Sequence, residues 1–401
     1  MLNIFQEPEI NESVSKYEYH TYSPYQNNFE RNDIIQISIQ HQNLDVLPSE
    51  SFLYIEGLLS TTDVKEITIN NNTKLVNNAM AFLFDEIRYE LNGKEIDYNR
   101  NVGITSTIKN YLSLTKNESD MLLNASWSPD SPISLKPFQF NYCIPLNKLL
   151  GFAEDYKKII PNARHDLIIT RARVDENALI SPTNEKVQIN IQKIQWKVPH
   201  VTLSDSMKLN LYKSINKNNS MKIAFRNWDL YEYPMLPSSD HHIWNVKTTT
   251  QIEKPRYIVF ALQTGKNKNL TADPTTFDHC SLTDLKVYLN SDVYPHEDLN
   301  VSFEKNRYSL FYRMYADFQK TYYNKTSSEP LLSWDLFKSR APIFVVDCRY
   351  QNEALKTGAV DIRLEMRTSK NIPANTSANC LMLHDRIIEY NPLDQVVNRI
   401  V

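Results

Sequence analysis

The sequence predicts an all-β protein made of two tandem copies of one β-sandwich domain. Three observations predict it. First, the second half repeats the plan of the first: Glu86-Ile87-Arg88-Tyr89-Glu90-Leu91-Asn92 lines up with Asp284-Leu285-Lys286-Val287-Tyr288-Leu289-Asn290 about 198 residues later. Second, further matches follow in the same order. His165 to Arg171 resembles Val360 to Met366, and the alternating run Val187 to Val198 has a counterpart near Ser377 to Tyr390. The offsets shrink to about 195 and about 191, as expected when loops differ but element order does not. Third, many short strands separated by turns, with one helix per copy, indicate antiparallel sandwiches rather than βαβ units. A chain of 401 residues exceeds one ordinary core and fits two domains of about 200 residues.

Along the chain, residues 1–30 form an arm in which Tyr17, Tyr19, Tyr22, Tyr25 and Phe29 recur without helical or strand period. It reads as a disordered leader or a strap on a neighbouring surface, and the amphipathic rings favour the strap. Its only bases are Lys16 and, at its end, Arg31 just beyond residue 30, too few to neutralise packaged nucleic acid. The first sandwich occupies residues 31–200. Ile35, Ile37 and Ile39 alternate with polar residues and mark one face of a half-buried strand. Phe52 to Leu59 and Val64 to Asn70 continue as strands, and Leu75 to Phe84 holds a helical turn or two. A strand then ends at Leu91, where Asn92-Gly93 suits a type I′ hairpin. Val102 to Leu114 reads as an amphipathic helix through Ile104, Ile108, Tyr111 and Leu112, with Leu299 to Phe318 as its counterpart. Asp120 to Pro137 is a loop, and strands resume at Phe138 to Leu146, Leu167 to Val174 and Val187 to Val198.

Residues 201–240 form the connector. It opens with a helix at Ser204 to Ile215 and continues through the aromatic run Phe225 to Pro234, which is expected to lie buried between the domains. The second sandwich, residues 241–401, has strands at Trp244 to Thr250, Arg256 to Thr264, Leu282 to Asn290, Ile343 to Cys348, Val360 to Arg367 and Asn379 to Ile388.

Composition excludes several function classes. Hydrophobic residues make up 41% and charged residues 23% with net charge −3, the balance of a folded chain. No run approaches the roughly 18 apolar residues of a membrane span, and Met1 to Glu9 lacks a signal peptide's basic start and apolar core. The chain is therefore expected to work inside cells. The six glycines, Gly57, Gly93, Gly103, Gly151, Gly265 and Gly358, form no phosphate-binding loop, which rules out a Rossmann or P-loop enzyme. Asn and Asp are expected to fill turn positions that Gly would otherwise take. Cys143, Cys280, Cys348 and Cys380 are too scattered for a zinc knuckle or a disulfide framework and read as free thiols.

No catalytic, cofactor-binding or metal-binding residue is assigned. His241-His242 would point to opposite faces of a strand and cannot readily chelate one ion. His279-Cys280 are sequence neighbours without an orienting third group. Asp284 and Glu86 sit at equivalent places in the repeat and read as architectural rather than as an acid/base pair. Lys208, Lys213, Lys217 and Lys222 lie among asparagines and read as a solvated face rather than a nucleic-acid surface.

On these residues the chain resembles a double jelly-roll major capsid protein, in the flavour of Polinton/Maverick elements and adintovirus-like double-stranded DNA viruses. The resemblance rests on Phe225 to Pro234, Ile243 to Thr250, Pro255 to Thr264, and Tyr288-Leu289-Asn290 followed by Tyr294-Pro295. Val360 to Leu364 and His384 to Pro392 add to it, so it covers mainly residues 196–395. At 401 residues the chain is short for Polinton-type capsid proteins, which implies shorter surface loops or towers. The polar loops Lys116 to Lys136 and Lys266 to His279 are the tower candidates.

The resemblance implies two eight-stranded jelly rolls side by side and a pseudo-hexagonal homotrimer, the capsomer. Such trimers tile an icosahedral shell around a double-stranded DNA genome. It also implies penton and minor capsid proteins as partners, the virion capsid as location after assembly inside the host cell, and no sequence-specific nucleic-acid contact, small-molecule substrate or enzymatic activity. A trimeric assembly scaffold of the same fold is the nearest alternative. A tandem-sandwich binding module is the third, and it requires exposed aromatics such as Trp127 on a binding rim.

Overall fold

A computed structural model describes residues 13–40, 45–61, 73–135, 138–182, 187–246, 254–350 and 360–400. The first eight principal strands are β1 (Val14–Tyr22), β2 (Ile34–Ile39), β3 (Phe52–Thr61), β4 (Phe84–Leu91), β5 (Lys94–Arg100), β6 (Gln139–Pro145), β7 (His165–Arg171) and β8 (Val187–Leu203). They form two sheets in the orders β1-β8-β3-β6 and β2-β7-β4-β5. The next eight are β9 (Met221–Tyr233), β10 (His241–Val246), β11 (Pro255–Thr264), β12 (Leu282–Leu289), β13 (Asp292–Tyr294), β14 (Phe344–Asp347), β15 (Ile362–Thr368) and β16 (Thr376–Asn391). Their sheets run β9-β16-β11-β14 and β10-β15-β12-β13. Raising every label of the first pair of sheets by eight gives the second pair, so the duplication read from three sequence matches holds for all sixteen strands. Short pairings extend this frame: Asp45–Val46 joins β8, Val396–Arg399 joins β16, and Lys74–Leu75 pairs with Leu179–Ile180.

Local chemistry sets the strands. On β2, Ile35, Ile37 and Ile39 are fully buried, and the strand pairs with β7 in register, Ile35 opposite Ile169 and Ile37 opposite Leu167. The β4–β5 hairpin turns on Asn92 and Gly93, both at positive φ (49° and 75°), as a type I′ turn requires. Among the described residues eleven of the sixteen non-glycine positive-φ positions are Asn, whose short side chain tolerates the left-handed region. Within each sandwich the two sheets meet through aromatic rings, Tyr89 of β4 against Trp196 of β8 at 6.2 Å and Tyr233 of β9 against Trp244 of β10 at 5.8 Å.

The helices are α1 (Val102–Ser113), α2 (Lys116–Met121), α3 (Gly151–Asp155), α4 (Asp205–Asn216), α5 (Ser309–Tyr323) and α6 (Trp334–Ser339). The expected helices at Val102 to Leu114 and Ser204 to Ile215 are α1 and α4. The expected helix at Leu299 to Phe318 begins ten residues later, as α5. Asn300 and Asn306 sit at positive φ and Ser302 bridges Arg307, so that stretch is a turn before the helix can start. The expected loop from Asp120 is shorter than anticipated, because Thr115 and Glu118 form a capping box that starts α2. The Val64 to Asn70 strand and the end of Trp244 to Thr250 lie outside the described residues.

Two departures are larger. The arm of residues 1–30 contains β1, an edge strand paired with β8 from Tyr22 opposite Trp196 to Val14 opposite Leu203. The connector of residues 201–240 contains β9, paired with β16 along its whole length. Each sandwich therefore starts one strand earlier than the sequence pattern indicates. β1 shows no apolar period because nearly all of it is exposed. β9 shows none because its apolar residues are shared between two cores.

Candidate functional site

The candidate functional site is the seam between the sandwiches and the faces that resemble it. The two cores interlock there. Ile223, Phe225, Ile388 and Tyr390 of the second sandwich join the core of the first, and Ile108, Tyr111, Leu112, Leu114 and Trp127 join the core of the second. Full burial of an aliphatic or aromatic side chain stabilises by about 1.5–3 kcal/mol, so these exchanged residues bind the halves firmly. The aromatic run Phe225 to Pro234 thus meets its expectation at Phe225 and Trp228, both buried, while Leu230, Tyr231 and Tyr233 are half-buried.

α3 packs directly on β9. Gly151 opens this helix, and a Cβ there would lie 2.0 Å from the Arg226 carbonyl oxygen and 3.1 Å from Trp228 Nε1. Only glycine permits that approach. One residue on, Phe152 stacks on Tyr89 of its own sandwich and meets Phe225 of the other edge-on at 5.6 Å.

Charge is buried in the same seam. Lys109 of α1 donates to Glu154 Oε1 at 2.9 Å and Oε2 at 3.0 Å, to Ser113 Oγ at 2.9 Å and to Tyr323 of α5 at 3.1 Å. Its ammonium also lies over the rings of Trp228 and Tyr322, at 4.6 and 4.4 Å. Burial pushes Lys109 down to about 8, with Glu154 acting in the opposite sense. For Glu154 burial opposes ionisation, but Lys109 and the Tyr323 hydroxyl outweigh it and hold the carboxyl below its ordinary value. Tyr322 and Tyr323 both donate to Glu154. Beside them Arg226 of β9 grips Asp155 through Nε at 2.7 Å and its backbone N–H at 2.8 Å, and lies 3.5 Å over the Tyr322 ring. A second polar lock lies on β5. Asp97 accepts from the Phe152 N–H at 2.8 Å, and Arg386 of β16 donates to the Ile96 carbonyl at 3.0 Å. Burial raises Asp97 to about 6 despite the Arg386 charge nearby.

This arrangement is adhesive: Lys109 and Glu154 pair within the first sandwich, Tyr322 and Tyr323 of the second bind that pair, and Arg226 of the second grips Asp155 of the first. The residues weighed as catalytic or metal-binding candidates lie elsewhere and are not brought together. His241 Nε2 meets Glu365 at 3.0 Å in the open, while His242 turns inward to the Ser239 carbonyl. The His279 ring stacks on Phe303 and its Nδ1 accepts from the Ser281 N–H, whereas Cys280 Sγ faces Thr264 Oγ1 at 3.7 Å. Burial pushes the Cys280 thiol up and the His279 imidazole down, opposite to an activated pair. Asp284 accepts from the Leu299 N–H and Glu86 lies 4.0 Å from Arg100, in different sandwiches. The lysine cluster sits on and beyond α4, which buries no residue. Among the described residues no group of three or more His, Cys, Asp or Glu is placed to hold a metal ion. All four cysteines are free thiols.

One expectation is overturned. Trp127 is buried and its indole donates to Ser119 Oγ at 2.9 Å, so it lies on no binding rim. The loop Lys266 to His279, a tower candidate, makes contacts with the first sandwich. Leu270 enters the first sandwich's core, its carbonyl accepts from Ser181, and Lys268 donates to Asn177, so this loop straps the seam. Lys116 to Lys136 likewise reaches across, with the Asp130 carbonyl accepting from Arg340. Sequence reasoning missed Gly151, Lys109, Glu154 and Asp155. Arg226 at least lay inside the aromatic run it singled out.

The architecture has counterparts among solved structures. The PBCV-1 virus capsid protein superposes with a TM-score of 0.62 at 9% identity, covering 99% of each chain. The mavirus major capsid protein gives 0.56 at 10% identity over 99% of this chain and 92% of that one. The Faustovirus major capsid protein gives 0.52 at 9% identity over 96% and 92%. At such identities the likeness establishes the fold. No curated protein sequence matches. The family model described as a double jelly roll-like domain matches residues 73–388, more than half of the chain, and the chain therefore belongs to the double jelly roll-like domain family.

Proposed function

We propose that this protein is a major capsid protein, the self-associating building block of an icosahedral shell around double-stranded DNA. The observation that carries the reading is the fusion of two sandwiches with identical strand order through a buried, charge-matched seam. A rigid pair of like sandwiches is one third of a six-fold-like ring, and three chains complete it. The full-length likeness to viral capsid proteins supports the same reading. So does the net charge of −3, which suits a wall that encloses a genome without wrapping each phosphate.

In this reading the role is structural, the partners are further copies of the chain together with vertex and minor capsid proteins, and the location is the virion. The Polinton and adintovirus affinity rests on the sequence motifs. We place the first jelly roll at residues 14–203 and the second at 221–399, linked by α4. Electron microscopy of purified recombinant protein and of its assembly products tests the proposal. Closed shells, or trimers with hexagonal outline, are expected. Particles of single two-lobed molecules under all assembly conditions would overturn it.

A further inference from the structure

We infer that the cleft between the two sandwiches at Phe84, Glu232 and Asn379 is a binding site for a neutral, hydroxyl-rich ligand, a saccharide. The inference goes beyond the structural role and does not depend on it. The cleft has a volume of about 290 Å³ and is walled by both halves of the chain. That is near the lower end for small-ligand sites, so it suits a short saccharide. The second sandwich supplies the polar wall. Glu232 of β9 is directly opposite Asn379 of β16, and Ser377, two residues before Asn379, is opposite Gln263 of β11. Cross-strand partners and alternate residues of a strand share a face, so these four side chains form one patch, and all four line the cleft. Asn379 is only 2% exposed, yet its side-chain Nδ2 has no hydrogen-bond partner among the described residues. A buried amide N–H without a partner is destabilising and calls for a specific reason, and its place in the cleft wall points to a ligand.

The first sandwich supplies Asp85 and an apolar wall. There the Phe82 ring lies so close over Gly103 that a Cβ on the glycine would be 2.3 Å from it, and Phe84 and Ile104 continue the surface. Met235, 62% exposed, adds an apolar edge from the second sandwich. Charge then selects the ligand class. Asp85 accepts from the Arg173 N–H at 3.3 Å and Glu232 from the Asn101 side chain, which leaves acceptor positions open on each carboxylate. Loss of surrounding water raises both carboxyls above their ordinary values. An anion is repelled by these two groups. A cation would meet the Asn379 donor and the Lys266 ammonium, which lines the same cleft and is held by Asp278 at 2.9 Å and the Thr276 carbonyl at 3.2 Å. A hydroxyl is donor and acceptor at once, so it can donate to the carboxylates and accept from the amide. The apolar face of a sugar ring has Phe84, Ile104 and Met235 to pack on.

The test uses full-length protein in the oligomeric state in which it purifies. Labelled protein is applied to an array of immobilised mono- and oligosaccharides. Each sugar that binds is then titrated free in solution by calorimetry against wild type, Glu232→Gln and Asn379→Leu, with thermal unfolding to confirm that the variants fold. We expect at least one class of saccharide to bind, with affinity lowered about tenfold or more in each variant. Lys213→Ala, on α4 and outside the cleft, should bind as wild type does. An array with no bound saccharide overturns the inference, and so does binding that either folded variant leaves unchanged. Calorimetric binding of spermidine that Glu232→Gln abolishes, with no saccharide bound, would make the cleft a cation site instead and likewise overturn it. If Asn379→Leu does not fold, Glu232→Gln, at an exposed position of the cleft, decides alone.

Discussion

α1 and α5 occupy the same place in the two sandwiches, yet they live in different surroundings. α1 buries eleven of its twelve residues, among them Thr105, Ser106, Thr107, Lys109, Asn110 and Ser113. α5 buries five of its fifteen, and its exposed side carries Leu310 and Arg313. The duplication therefore copied the fold but not the environment. The helix caught in the seam has polar groups that are satisfied internally, such as Ser106 and Thr107 by the Asn78 amide at 2.7 and 3.0 Å. α5 is amphipathic: one face reaches the seam through Tyr315, Tyr322 and Tyr323, and the other turns its charges to water.

The largest expected effect comes from breaking the buried pair that distinguishes α1. Lys109→Met leaves Glu154 buried without its cation and should cost about 3–5 kcal/mol of unfolding free energy in chemical denaturation. Lys109→Met combined with Glu154→Gln should recover much of that loss, because no unpaired charge remains. Next in size is Gly151→Ala, where the new methyl collides with the backbone of β9. A loss of about 3 kcal/mol is expected, with separate melting of the two halves in calorimetry if the seam opens.

The third prediction concerns pH. Burial raises Asp97 to about 6 from an ordinary 3.8, so the folded state holds this proton more tightly than the unfolded state. Its contribution to stability is full below about pH 4 and is lost as pH rises through about 6. Asp97→Asn removes that dependence. The stability difference between variant and wild type should shift in favour of the variant by about 2 kcal/mol between pH 4 and pH 7, most of what the roughly two-unit displacement allows. A difference that does not change with pH would show that Asp97 is not held protonated. The smallest effect belongs to the exposed face of α5: Arg313→Ala, at a largely exposed ion pair with Asp317, should change stability by no more than about 0.5 kcal/mol. A loss comparable to that of Lys109→Met would erase the contrast between the two helices.

Elements with one wet face were legible. β2, β4 and β12 alternate over most of their length because each has one buried side and one less buried side, and Asn92-Gly93 announced its hairpin. The strands that open each sandwich were not, for opposite reasons. β1 (VSKYEYHTY) has no dry face within the chain, and β9 splits its apolar residues between two cores, so neither shows a single period of two. The seam was the least legible part. Lys109 is not among the apolar positions that marked the helix, and only the tertiary arrangement of Glu154, Tyr322 and Tyr323 reveals why it is buried. Gly151 was noted as one of six glycines, but the reason for it lies some 75 residues away, at the Arg226 carbonyl.

The central claim is that the internal duplication exists to build a closed multi-chain unit. The most direct test is the absolute mass of the purified full-length protein by light scattering behind a sizing column, across a wide concentration range. A stable species of three 46.9 kDa chains, or larger closed shells built from it, is the predicted result. A monodisperse single chain of 46.9 kDa at every concentration would contradict it.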